Sequence, residues 1–133
     1  MLSLQNKDIY KYALDAQAFY DSNKDIYFPV KSSFYIYKNI EIIIEAAAYI
    51  DRCRKNILEK FGRSKDDKTY TINDREREFV QQELNDLAEL YQDLNITKIH
   101  LSDLKDISLT LNQIKAIAFM IEEDEEEEKK EEE

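Results

Sequence analysis

Glycine and proline occur once each in 133 residues, and tryptophan does not occur at all. These two residues are the main punctuation of turns and loops, so their near absence leaves room for few, long elements. That reading is a mainly α fold. Cysteine is single as well, at Cys53. One thiol excludes an internal disulfide and any cysteine-rich metal knuckle, and it fits a reducing compartment. No apolar run approaches the ~20 residues that span a bilayer. Met1-Leu2-Ser3-Leu4 lacks the basic start and long apolar run of a signal peptide. The expectation is a protein inside the cell, or one packed into an assembly made there, with no membrane partner.

The shortage of reactive groups bears on catalysis. His100 is the only histidine, so a nucleophile with an adjacent base would require it to meet Cys53. The ordinary alternative is a packed thiol and a surface histidine. Glu-x-x-His pairs of the helical di-iron kind are missing, as are the several Cys or His ligands that zinc needs. No glycine-rich loop is present to cradle a phosphate. The sequence therefore reads as a non-enzyme with no cofactor and no metal.

What the chain does have is charge, unevenly placed. Residues 122–133 hold ten acids against Lys129 and Lys130, which leaves nineteen acids and seventeen bases for the other 121 residues. The body is nearly neutral, and the acidity belongs to an appendage. We expect a single helical domain over residues 1–121 with an acidic tail over 122–133, a frayed helix or a disordered segment. Such runs keep a protein soluble or dock on a basic partner, with Glu125, Glu126, Glu127 and Glu128 at the centre of the run. Nucleic-acid mimicry is the weaker reading, because it needs carboxylates fixed on a rigid surface.

Hydrophobic spacing predicts four helices. The first starts near Asn6 as cap and carries Ile9, Ala13, Ala16 and Tyr20 on one stripe. The second runs from about Pro29 to Phe61, with Gly62 placed to close it in the left-handed conformation. Ile36, Ile40, Ile43, Ala47, Ile50, Arg54, Ile57 and Phe61 alternate spacings of four and three, a seam with Arg54 as its one charged member. Behind it Lys31, Lys38, Glu45, Arg52 and Glu59 fall on every seventh residue and point together. So wide an apolar face requires at least two neighbours. Asn73 and Glu76 predict a capping box opening a third helix to about Leu94, with Val80, Leu84, Leu87, Tyr91 and Leu94 inward. The third helix should pair antiparallel with the second. Short strands are expected around Tyr70–Ile72 and Ile99–Leu101. Thr110 and Gln113 form a second capping box, with Ile114, Ile117, Ala118 and Ile121 inward. The architecture expected is a long antiparallel helical hairpin, shorter flanking helices and a small two- to three-stranded patch.

Three features point to contacts with other molecules. The lysines and arginines are interspersed with acids, which argues against a nucleic-acid surface. The ridge of Lys31, Lys38, Glu45 and Arg52 is either a solvated face or a contact surface. Arg54 either forms a specific pair, with Glu83 or Asp86 of helix three, or snorkels past the seam over apolar neighbours.

From Phe28 onward the order of residues resembles a family of small, uncharacterised proteins encoded by tailed phages and prophages. The matching pieces are Pro29-Val30-Lys31, Lys38-Asn39, Glu45 and Arg52 on the long helix, and Glu78-Phe79 on the third. Ile96, Ile99, Leu101 and Leu104 follow, and Phe119-Met120-Ile121 close the pattern. The acidic tail departs from it, and Arg54 is an alternative to Arg52 as the matched arginine. The resemblance implies a phage origin and carries no activity. On it, the expected function is a non-enzymatic protein–protein interaction protein, a virion structural or assembly component, with a homo-oligomer as one form. The alternative is a host-directed inhibitor, an anti-defence protein whose acidic surface blocks a basic nucleic-acid-binding site. Partners would be other virion proteins or a basic host protein, and the location would be the host cytoplasm or the virion.

Overall fold

A computed structural model describes residues 1–64 and 70–122. The chain is mainly α, built round one long helix with a second helix packed antiparallel on each side. In chain order the elements are β1 (Leu2–Gln5), α1 (Asn6–Ser22), α2 (Val30–Phe61), β2 (Gly62–Ser64), β3 (Tyr70–Ile72) and α3 (Asp74–Glu89). Then come β4 (Tyr91–Leu94), β5 (Ile99–His100), a 3-10 turn at Leu101–Leu104, α4 (Leu111–Ala116), a second 3-10 turn at Ala118–Met120 and β6 (Ile121–Glu122). Expectations for residues 65–69 and 123–133, including Glu125 to Glu128, fall outside the described residues.

The core is an aliphatic seam between α1 and α2. Ile9, Ala13, Ala16 and Phe19 face Ile36, Ile40, Ile43, Ala46 and Ile50, all buried. Burying one such isoleucine side chain contributes roughly 1.5–3 kcal/mol. The two alanines of α1 give the helices a close approach. Phe19 takes the inward place expected of Tyr20, since both lie within reach of the Ala16 stripe and only the tyrosine has a hydroxyl to keep wet. Tyr20 instead packs edge-on against Tyr37, ring centroids 5.4 Å apart. Antiparallel packing follows from contacts at the two ends, Tyr10 with Asp51 and Tyr20 with Tyr37. On the other flank α3 runs antiparallel to α2, with Phe61 on Phe79 at 5.2 Å.

Helix boundaries differ from expectation in instructive ways. Asn6 is the first residue inside α1, not its cap. It is buried, its Nδ2 donates to the Leu87 carbonyl (2.7 Å) and its Oδ1 accepts from Gln92 Nε2 (2.9 Å). Its backbone N–H donates to the Leu90 carbonyl (2.8 Å). Unpaired amides at the start of α1 thus meet unpaired carbonyls at the end of α3, and each satisfies the other. Asn73 caps α3 without a side-chain hydrogen bond, so its expected capping box does not form, whereas that of Thr110 and Gln113 does. Gly62 is extended (φ −118°, ψ 166°) and passes straight into β2.

α3 stops at Glu89 because Tyr91–Leu94 pair antiparallel with Leu2–Gln5, Leu2 opposite Leu94. Tyr91 is consequently exposed, whereas Leu94 is buried in a strand. Two further two-stranded sheets lie among the described residues. β2 and β3 are antiparallel, and β5 and β6 are parallel with Ile99 beside Ile121. In the last helical stretch Ile117 is buried as expected, but Phe119 and Met120 are the other core residues there, and Ala118 and Ile114 are exposed. The switch from α-helix to a tighter 3-10 turn after Ala116 rotates the inward positions.

Candidate functional site: the outer face of the long helix

Asn39, on the inner side of α2, fixes which face points out. It is fully buried, its Nδ2 donating to the Thr97 carbonyl (2.8 Å) and its Oδ1 accepting from the Thr97 N–H (2.9 Å). With that side clamped, the opposite ridge is turned to solvent. Lys31, Lys38, Glu45, Arg52 and Glu59 are all exposed, so the structure brings Lys31, Lys38, Glu45 and Arg52 together on one surface.

Exposed aromatic rings share that surface, and the spacing argument did not single them out. Phe34 is 59% exposed and Tyr49 54%. The Lys38 ammonium lies 6.0 Å from the Phe34 ring centre, and the Arg52 guanidinium 5.6 Å from that of Tyr49. Lys24, just beyond α1, stands over Tyr20 at 5.5 Å. Each cation stands over a ring that the core leaves outside. The sequence signal for Phe34 was its place between Lys31 and Lys38 on the ridge. Aromatic residues and arginine are enriched at protein interfaces, whereas lysine is depleted there.

Arg54 is not part of this surface. It lies about 200° of helix rotation from Arg52. No ion pair joins it to Glu83 or Asp86 among the described residues; Asp86 instead accepts from Gln82 Nε2 at 2.8 Å. The guanidinium turns to the other neighbour, helix α1, where it faces the Tyr10 hydroxyl. Tyr10 donates to Asp51 Oδ1. Partial burial, then the Asp51 carboxylate, push the Tyr10 pKa up to about 12, against a smaller lowering by Arg54. Arg54 remains exposed although it falls on the seam, because Ile50 is the last fully buried residue of α2 and the helix outruns its cover.

No family model, curated protein or solved structure matches this chain. Function therefore has to be argued from its own surfaces. Two hollows compete with the helix face. One, of about 360 Å³ between the end of α1 and α4, is open, lined by Asp15, Phe19, Asn23, Gln113, Lys115 and Ala116 among others. The other, about 90 Å³, is walled by aliphatic side chains including Leu104, Ile107, Leu109 and Ile117. Neither gathers a nucleophile with a base. Cys53 is half-buried on α2, while His100 Nδ1 lies 4.0 Å from Glu122 Oε2 across the β5–β6 pair. Among the described residues no group of three His, Cys, Asp or Glu side chains stands close enough to hold a metal ion. Among them, too, no helix is long and apolar enough to cross a membrane.

Proposed function

We propose that this chain works by protein–protein contact and not by catalysis, through the outer face of α2, as a phage structural or assembly component. The observation that carries the contact reading is the row of exposed aromatic and charged residues at Phe34, Lys38, Glu45, Tyr49 and Arg52 on a helix whose opposite side is locked into the core. A rigid helix presents such groups at no ordering cost, which favours binding. The mixture of signs suits a protein surface better than a phosphate backbone. The phage setting rests on the resemblance, four of whose matched positions, Lys31, Lys38, Glu45 and Arg52, lie on this face. Nothing among the described residues favours the inhibitor reading, whose acidic run lies outside them.

Photo-reactive residues at positions 34 and 49 test the proposal, with position 14 as comparator because Leu14 is 73% exposed on α1. In cells producing the particle, 34 and 49 should yield covalent adducts with structural proteins or with a second copy of this chain. Adducts from position 14 alone would overturn the assignment of the face.

A further inference from the structure

From Lys38 onward the charges on the outer face of α2 alternate in sign, while Lys31 at the start of the ridge repeats the sign of Lys38. Lys38, Glu45, Arg52 and Glu59, seven residues apart, read plus, minus, plus, minus. Phe34, Glu41, Ala48 and Lys55 form the neighbouring row at the same spacing, a ring at its start and then opposite charges with a methyl group between them. Both rows are exposed except for half-buried Ala48.

We infer that this face pairs with the same face of a second copy, antiparallel, about a two-fold axis beside Ala48 and Tyr49. The inference rests on the proposed interaction face and names its partner. A two-fold axis perpendicular to the helices sets each row against its own copy, running the other way. Glu45 then stands level with Arg52 of the second copy, and Lys38 level with Glu59 of the second copy. In the other row Glu41 meets Lys55 of the second copy within about one residue's rise, ~1.5 Å. Symmetry doubles every pair, so these six charges each meet an opposite sign across the axis, Lys55 and Glu59 in addition to the ion pair they make with each other (3.9 Å), and Lys31 lies beyond the paired stretch. At the axis the small Ala48 lets the backbones approach, with Tyr49 at its side.

The same charges reject the alternatives. Slipping the antiparallel register by seven residues one way puts Lys38 against Arg52 and Glu45 against itself. Slipping it the other way opposes Glu45 to Glu59 and Arg52 to itself. Charges of this kind are individually weak at a surface, so they choose partner and register while the aromatic and alanine contacts supply the attraction. The seven-residue spacing falls ~20° short of two turns, which two helices absorb by crossing at a shallow angle.

Charge exchange tests the pairing. Sedimentation equilibrium of the full chain at 0.1 M salt suits it. There the screening length is about 10 Å, so overall net charge is damped more than contacts a few Å apart. The wild type should show a monomer–dimer equilibrium. Glu45→Arg and Arg52→Glu should each weaken it roughly tenfold or more, since two attractive pairs become repulsive. The double variant should return it to within about threefold of wild type. Circular dichroism should show all three variants as folded as wild type, the positions being exposed. A wild type that stays monomeric at several hundred micromolar would overturn the self-pairing, as would single reversals without effect or a double variant that does not recover. Adducts from positions 34 and 49 to a different protein would then leave the interaction face standing without the dimer.

Discussion

Asn39 is the residue on which the placement of the functional face depends most. It is a polar side chain at zero exposure, three residues after Ile36 and four before Ile43, on the inner stripe of α2. Its two bonds to Thr97 hold the extended segment after β4 against the long helix. Substituting Asn39→Leu keeps the branched shape of the side chain but strands the Thr97 N–H and carbonyl, at about 1–3 kcal/mol for each group left without a partner. We expect the unfolding free energy to fall by about 2–4 kcal/mol, read as a lower urea midpoint with unchanged slope. A loss below ~1 kcal/mol would mean that water replaces the clamp. Tyr10 yields a pH prediction. Its folded pKa of about 12 lies above the unfolded value near 10. Its protonated form is therefore the one the fold favours. The stability it contributes is fully present below pH ~10 and is lost as pH rises towards 12. Of the nine tyrosines, one should ionise late in an absorbance titration. Tyr10→Phe should remove that late step and flatten the decline in stability over the same range.

At the scale of elements the governing fact is a mismatch of length. α2 has 32 residues and α1 has 17, so ~48 Å of helix is matched by ~26 Å of its principal partner. Cover is complete from Ile36 to Ile50 and partial beyond, where Cys53, Ile57, Leu58 and Phe61 are half-buried. Backbone hydrogen bonds with less packing over them open more easily. Amide hydrogens over residues 40–50 should therefore exchange slowest, and those over 54–60 at least about tenfold faster. Uniform protection along the helix would show that the far end is gripped as firmly as the middle. That length, the two flanking helices and the outward ridge were all legible in the sequence, because period and spacing are local properties. The fate of Arg54 was not. A seam position says which way a side chain points, and only the reach of α1 decides whether anything covers it. The ending of α3 was hidden for a related reason. Tyr91 and Leu94 continue a helical period, while Leu94 also suits a strand, and the choice was made by a strand 89 residues earlier in the chain.

For the whole molecule, the sequence conveyed the charge division and the mainly α class but none of the pairings between distant segments. β1 with β4 and β5 with β6 are contacts of long sequence separation, and no period or composition encodes them. The charge pattern on α2 was open to inspection in the sequence along with the outward ridge, and the structure adds that Glu41 and Lys55 stand exposed beside that ridge with half-buried Ala48 between them. Those distant pairings also impose an order in time. The stretch from Tyr91 to His100 receives its first strand partner from residues 2–5 and its second from residues 121–122. A ribosome adding about 5–20 residues per second delivers α1 and α2 well before either bond to that stretch can close. The long helix and its outer face are therefore made while Thr97, the residue that clamps them, is still to be synthesised. During that interval α1 is present to cover the aliphatic seam, while the side of α2 that Thr97 will clamp is open, as is the aromatic ridge. Neighbouring chains on one messenger would meet each other first through whichever side finds its match sooner.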